Sequence, residues 1–118
     1  MFGSDRPVSP EDVQRVADEL AWQQEEQWWR ENYRTRPYVS GDRGFDWYSP
    51  AYRFGVEAAL RYHGRSWTEA EPEMRDAWEA WEHRPPDAEW VDVKESVHDA
   101  WDHLRGREHD RHVDRTKM

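Results

Sequence analysis

From Ser9 to Asn32 the apolar residues recur at helical spacing. At about 100° per residue, Val13, Val16, Ala17 and Leu20 share one face, and Trp22, Trp29 and Tyr33 share the opposite one. Ser9-Pro10-Glu11-Asp12 reads as a helix start. Ser9 can cap, Pro10 suits the first helical position, and the two carboxylates sit at the positive end of the dipole. A first helix over 9–32 is therefore predicted. A surface helix normally carries one apolar stripe. Two opposed stripes imply a helix covered on both sides, and in so short a chain the second cover is expected to be another subunit. Trp22, Trp29 and Tyr33 are the candidate self-association residues. Ser49-Pro50 repeats the Ser-Pro start and Gly64 is placed as a terminator, which predicts a second helix over 49–63. Within it Ala51, Gly55 and Ala59 form a row of small side chains that would let a neighbouring helix come close. The intervening 33–48 stretch holds two short aromatic runs on either side of Ser40–Gly44. A short β-hairpin and an extended aromatic loop both fit it, with Pro37 confining the first run to an edge.

The second half of the chain is an internal repeat. Trp67–Trp81 aligns without gaps on Trp90–Leu104, at an offset of 23 residues. Trp67/Trp90, Asp76/Asp99, Ala77/Ala100 and Trp78/Trp101 are identical pairs. Each copy is an amphipathic helix with tryptophan toward both ends of one stripe. Pro85-Pro86 breaks the chain between them and Asp87 can cap the second copy, so a third helix over 67–83 and a fourth over 87–105 should form a helical hairpin. The repeat units themselves run over 67–83 and 90–105. Pro72 stands where the second copy has Glu95. A proline inside a helix loses a bond and clashes with the preceding turn, so a break or kink near Glu71 is expected. Residues 1–8 and 106–118 lack apolar periodicity and should be flexible ends. The expectation is one mostly α domain over 9–105: four helices, an aromatic loop or hairpin after the first, and a tryptophan-lined helical hairpin at the end.

Composition changes this picture in one respect. Leu, Ile, Val and Phe supply only 15 of 118 residues, and the net charge is −9. Such numbers alone would suggest disorder. Nine tryptophans and five tyrosines argue the other way, because each large aromatic ring buries roughly 150–250 Å². The core is thus expected to be aromatic and thin. The charge is uneven: −5 over 1–32, +3 over 33–66 and −8 over 67–105. A basic middle between acidic flanks can be satisfied within the fold or between copies. No cysteine is present, so disulfides and thiol chemistry are excluded. No apolar run approaches the ~20 residues that span a bilayer, and no secretory signal pattern opens the sequence. A cytoplasmic protein without membrane contact is expected.

Tyr48-Ser49-Pro50-Ala51-Tyr52-Arg53-Phe54-Gly55, Tyr62-x-Gly64-x-x-Trp67, Arg75-x-x-Trp78 and Val97-His98-Asp99-Ala100-Trp101-Asp102 together resemble a family of small bacterial proteins rich in Trp and Tyr. The resemblance covers roughly residues 28–104. It implies a bacterial cytosolic protein in a stress-related setting, and brings no known activity, catalytic residue or cofactor with it.

Three chemistries have candidate residues in the sequence. His98, His103, His109 and His112 lie among Asp99, Asp102, Glu108 and Asp110. Their spacing matches no closed metal site, so solvated helix pairs are the simpler reading and no metal or cofactor is expected. Arg34, Arg36, Tyr38, Arg43, Trp47 and Arg53 interleave cations and rings in the way single-stranded nucleic acids are gripped. They form the alternative functional reading, which the acidic balance disfavours. No nucleophile elbow or phosphate-cradling glycine motif occurs, and no enzyme is expected. The leading expectation is a non-enzymatic protein that associates with itself.

Overall fold

The computed structural model describes residues 9–116, with side chains described to Gly106. The expectation for residues 1–8 lies outside the described residues. Among the described residues four α-helices run in the order α1 (Pro10–Asn32), α2 (Phe45–Arg61), α3 (Trp67–Ala80) and α4 (Trp90–Thr116). A single 3-10 turn, Tyr33–Thr35, follows α1. Among the described residues there is no strand, so 33–44 is an aromatic loop.

The α1 start forms as its residues dictate. Ser9 accepts the Asp12 backbone N–H at 3.2 Å and Pro10 occupies the first turn. The face that packs is the reverse of the simplest expectation. Trp22, Trp29 and Tyr33 are buried in the core, while Val13, Val16 and Leu20 are 56%, 59% and 53% exposed. The magnitudes explain the choice. A buried Val or Leu contributes about 1.5–3 kcal/mol, whereas an aromatic ring of about 200 Å² contributes about 5 kcal/mol at 25 cal/mol per Å². Trp29 lies flat on Tyr52, with ring centroids 4.1 Å apart. The three rings are therefore part of the core and are not available as a self-association surface.

The helix covered on both sides is α2. Its Tyr48, Tyr52 and Val56 join Trp22 and Trp29 of α1 in one core. Its Ala51, Phe54 and Ala58 join Met74, Trp78 and Val97 in a second. The small-residue row does what its spacing predicts. A Cβ added at Gly55 would collide with the Val97 carbonyl oxygen and lie 2.8 Å from the Ala100 Cβ, so α2 and α4 touch backbone to backbone. The helix begins at Phe45, before Ser49-Pro50, and Pro50 is its sixth residue. Gly64, at φ +90°, follows its end. The first turns of a helix have few internal bonds to lose, so Pro50 removes a single one, and Pro72 is likewise the sixth residue of α3. The break expected near Glu71 does not occur, and α3 is continuous to Ala80.

Ser66 and Glu69 cap α3 reciprocally, at 3.1 and 3.0 Å. The two repeat helices form a contacting pair: Trp67 stacks on Trp90 at 6.2 Å and meets Trp101 edge-on at 5.5 Å. The buried Trp78 indole donates to the Ala88 carbonyl at 2.9 Å, which fixes the turn between them. Asp87 does not cap α4. The helix is entered at Glu89, whose backbone N–H is accepted by Asp92 at 3.2 Å. The helix also continues past Gly106 to Thr116, where the sequence suggested a frayed tail.

Candidate functional site

Three surfaces of the molecule carry chemistry. The first is the outward strip of α1. Val13, Val16 and Leu20 lie one above another, with exposed Ala17 beside them. The opposite side of the helix is filled by Asp18, Trp22, Glu25 and Trp29. Glu25 is buried and meets His103 Nδ1 of α4 at 2.9 Å. His103 in turn stacks on Trp28 at 4.0 Å.

The second is the arginine–aromatic segment, which the fold divides. Arg36 grips Asp99 with two hydrogen bonds, at 2.6 and 2.8 Å. The Tyr38 hydroxyl donates to the same carboxylate at 2.7 Å and lies 3.0 Å from the Tyr52 hydroxyl. Burial first, and then the contacts with Tyr52 and Asp99, push the Tyr38 phenol far above its ordinary range. Burial does the same to Tyr52. Arg53 is held between Glu57 at 2.9 Å and Glu19 at 2.8 Å. Trp47 is half-buried and packs against both cores, with Arg43 over its face at 3.9 Å. Arg34 leans on Tyr33, donating to its hydroxyl at 3.3 Å. Of the six candidate nucleic-acid residues, Arg36 and Arg53 are thus neutralised by carboxylates, and Tyr38 and Trp47 are engaged in packing. Arg34 and Arg43 have no carboxylate partner among the described residues.

The third is a cleft of about 740 Å³ between α1, α2 and the end of α3. Glu11, Asp18, Arg53, Glu57, Arg61 and Trp81 line it, with others. Asp18 and Glu57 are buried in its floor. Asp18 takes Gln14 at 2.8 Å and Arg61 at 3.4 Å. Burial raises the Glu57 carboxyl, Arg53 opposes the shift, and nearby Asp18 adds to it. These groups satisfy one another as a charge network, which holds α1 to α2.

The histidines do not converge. His98 stacks on Trp67 at 4.1 Å and faces Asp102 at 3.4 Å, while Asp99 is taken by Arg36. Among the described residues no group of three or more His, Asp and Glu is placed to hold a metal ion. The His109 and His112 side chains lie outside the described residues. No described helix is long and apolar enough to cross a membrane. Sequence reasoning missed Asp99 as a hub, because nothing in its local spacing separates it from the other helix-surface carboxylates. It placed the two faces of α1 the wrong way round, although ring size alone could have decided them.

No protein-family model matches the chain, and comparisons with curated proteins and with solved structures gave no significant match.

Proposed function

We propose that the chain is a non-enzymatic helical protein of the bacterial cytosol that associates with a second copy of itself through the outward strip of α1. The observation that supports this reading is the exposure of Val13, Val16 and Leu20, each above half, on a single helix face. Their spacing of three and four residues is that of a two-helix seam. The strip is self-complementary under a two-fold axis, with Val13 of one copy over Leu20 of the other. Three aliphatic residues cover far less than the roughly 800 Å² per partner of a standard interface, so the association is weak and concentration-dependent.

Light scattering or sedimentation over a dilution series tests it. The average mass is expected to rise with concentration. Leu20→Glu and Val16→Glu should abolish the rise with little change in thermal midpoint, because both sites are solvent-facing. Trp22→Ala should instead destabilise the domain, by about 3–5 kcal/mol. A parent chain that stays monomeric at the highest reachable concentration would overturn the proposal. The single-stranded nucleic-acid reading has less to rest on, since its rings are packed and two of its four arginines are paired.

A further inference from the structure

Within the basic middle of the chain, the two arginines that have no carboxylate partner among the described residues, Arg34 and Arg43, lie on the same pocket. Where the 3-10 turn approaches the start of α2, a concavity of about 380 Å³ is lined by Tyr33, Arg34, Ser40, Gly41, Arg43 and Gly44. Its charged lining is cationic: the nearby carboxylates Asp42 and Asp46 are exposed and do not line it. In a chain of net charge −9, the neighbouring Arg36, Arg53, Arg61 and Arg65 of the same segment are all paired with carboxylates, so the pocket is a local reversal of charge. The arginines are also held in place. Arg43 lies over Trp47 at 3.9 Å and Arg34 is hydrogen-bonded to Tyr33, so less side-chain freedom is lost when an anion arrives.

The two glycines sharpen the point. Neither Gly41 nor Gly44 has a positive φ, and a Cβ on either would meet no protein atom within 4 Å. Packing and backbone conformation therefore do not require glycine there. Their effect is to keep the pocket floor bare, so that a ligand can approach the main chain closely.

We propose that this pocket binds the phosphate group of a small phosphomonoester, with Arg34 and Arg43 as the two cationic arms. Guanidinium forks match phosphate oxygens in geometry and charge. The pocket is wider than a phosphate group alone, which leaves room for the rest of a small molecule. The self-association strip of α1 is separate from it and plays no part.

The test uses the full-length chain and inorganic phosphate as probe, followed by amide chemical shifts, with sodium chloride at matched ionic strength as reference. Phosphate is expected to move the Gly41, Gly44 and Phe45 amides in a saturable way that chloride does not reproduce. Arg34→Gln and Arg43→Gln should each weaken binding by roughly tenfold, the loss of one charge-assisted contact. Arg75→Gln, on α3 and away from the pocket, should leave it unchanged. Gly44→Ser supplies a side-chain cap for α2, so it should keep or raise the thermal midpoint while cutting phosphate binding at least tenfold by filling the floor. Adenosine monophosphate should bind more tightly than inorganic phosphate, and adenosine should not bind. Shifts that chloride reproduces, or parent-like binding in Gly44→Ser and the two arginine variants, would overturn the assignment. Tighter binding of an unphosphorylated oligonucleotide than of adenosine monophosphate would overturn it in favour of the nucleic-acid reading.

Discussion

Asp99 shows how one carboxylate can organise three elements. It sits on α4, takes both arms of Arg36 and the Tyr38 hydroxyl from the loop, and through Tyr38 reaches Tyr52 of α2. Asp99→Asn keeps the shape and removes the charge that Arg36 needs. Because Arg36 is one-third exposed, water softens the loss, and a destabilisation of about 1–3 kcal/mol is expected in urea titrations. The buried phenols make a pH prediction. Unfolded tyrosine ionises near pH 10, while Tyr38 and Tyr52 are pushed above that value, chiefly by burial. Above about pH 10 the unfolded chain therefore holds fewer protons than the folded one. The stabilisation is complete below that pH and is lost as pH rises. Tyr38→Phe should flatten this alkaline decline, read as the slope of unfolding free energy against pH. None of the network was legible beforehand. Arg36 and Asp99 are 63 residues apart, and no local pattern distinguishes a paired arginine from a free one.

The element scale was more legible, and its errors share a cause. The caps at Ser9 and the close-approach row of α2 follow from local chemistry, and both are as their residues dictate. The start of α2 and the continuity of α3 were misread because a proline was taken as a boundary. As the sixth residue of a helix, it forfeits one bond and the helix carries on. Pro72→Ala should restore that bond in α3. Part of the gain is offset by greater freedom of the unfolded chain, so a stabilisation of about 1–2 kcal/mol is expected by calorimetry. Gly55→Ala tests the opposite kind of site. The added methyl has nowhere to go against Val97 and Ala100, and overpacking should cost about 1–3 kcal/mol. A neutral Gly55→Ala would mean that α2 and α4 are not in backbone contact.

For the whole molecule the tryptophans resolve the conflict between composition and order. Trp29, Trp78 and Trp101 are almost fully buried and lie in the two cores that share α2. Trp78→Ala and Trp101→Ala should each cost about 3–5 kcal/mol, a large share of the roughly 5–15 kcal/mol that holds a domain together. If either variant melts like the parent, the repeat helices do not form the core described. The uneven charge is partly used internally, since arginines of the basic middle pair with acids of α1, α3 and α4.

The backbone contact at Gly55 has a consequence for how the chain comes into being. α2 is made early, but the close-approach site it offers at Gly55 is filled by Val97 and Ala100 of the last helix. During synthesis the earlier helices therefore leave the ribosome with an open apolar seam and wait for α4. Folding is expected to wait until α4 has been made, and a nascent chain stopped before Trp90 should be sticky, protease-sensitive and dependent on chaperones.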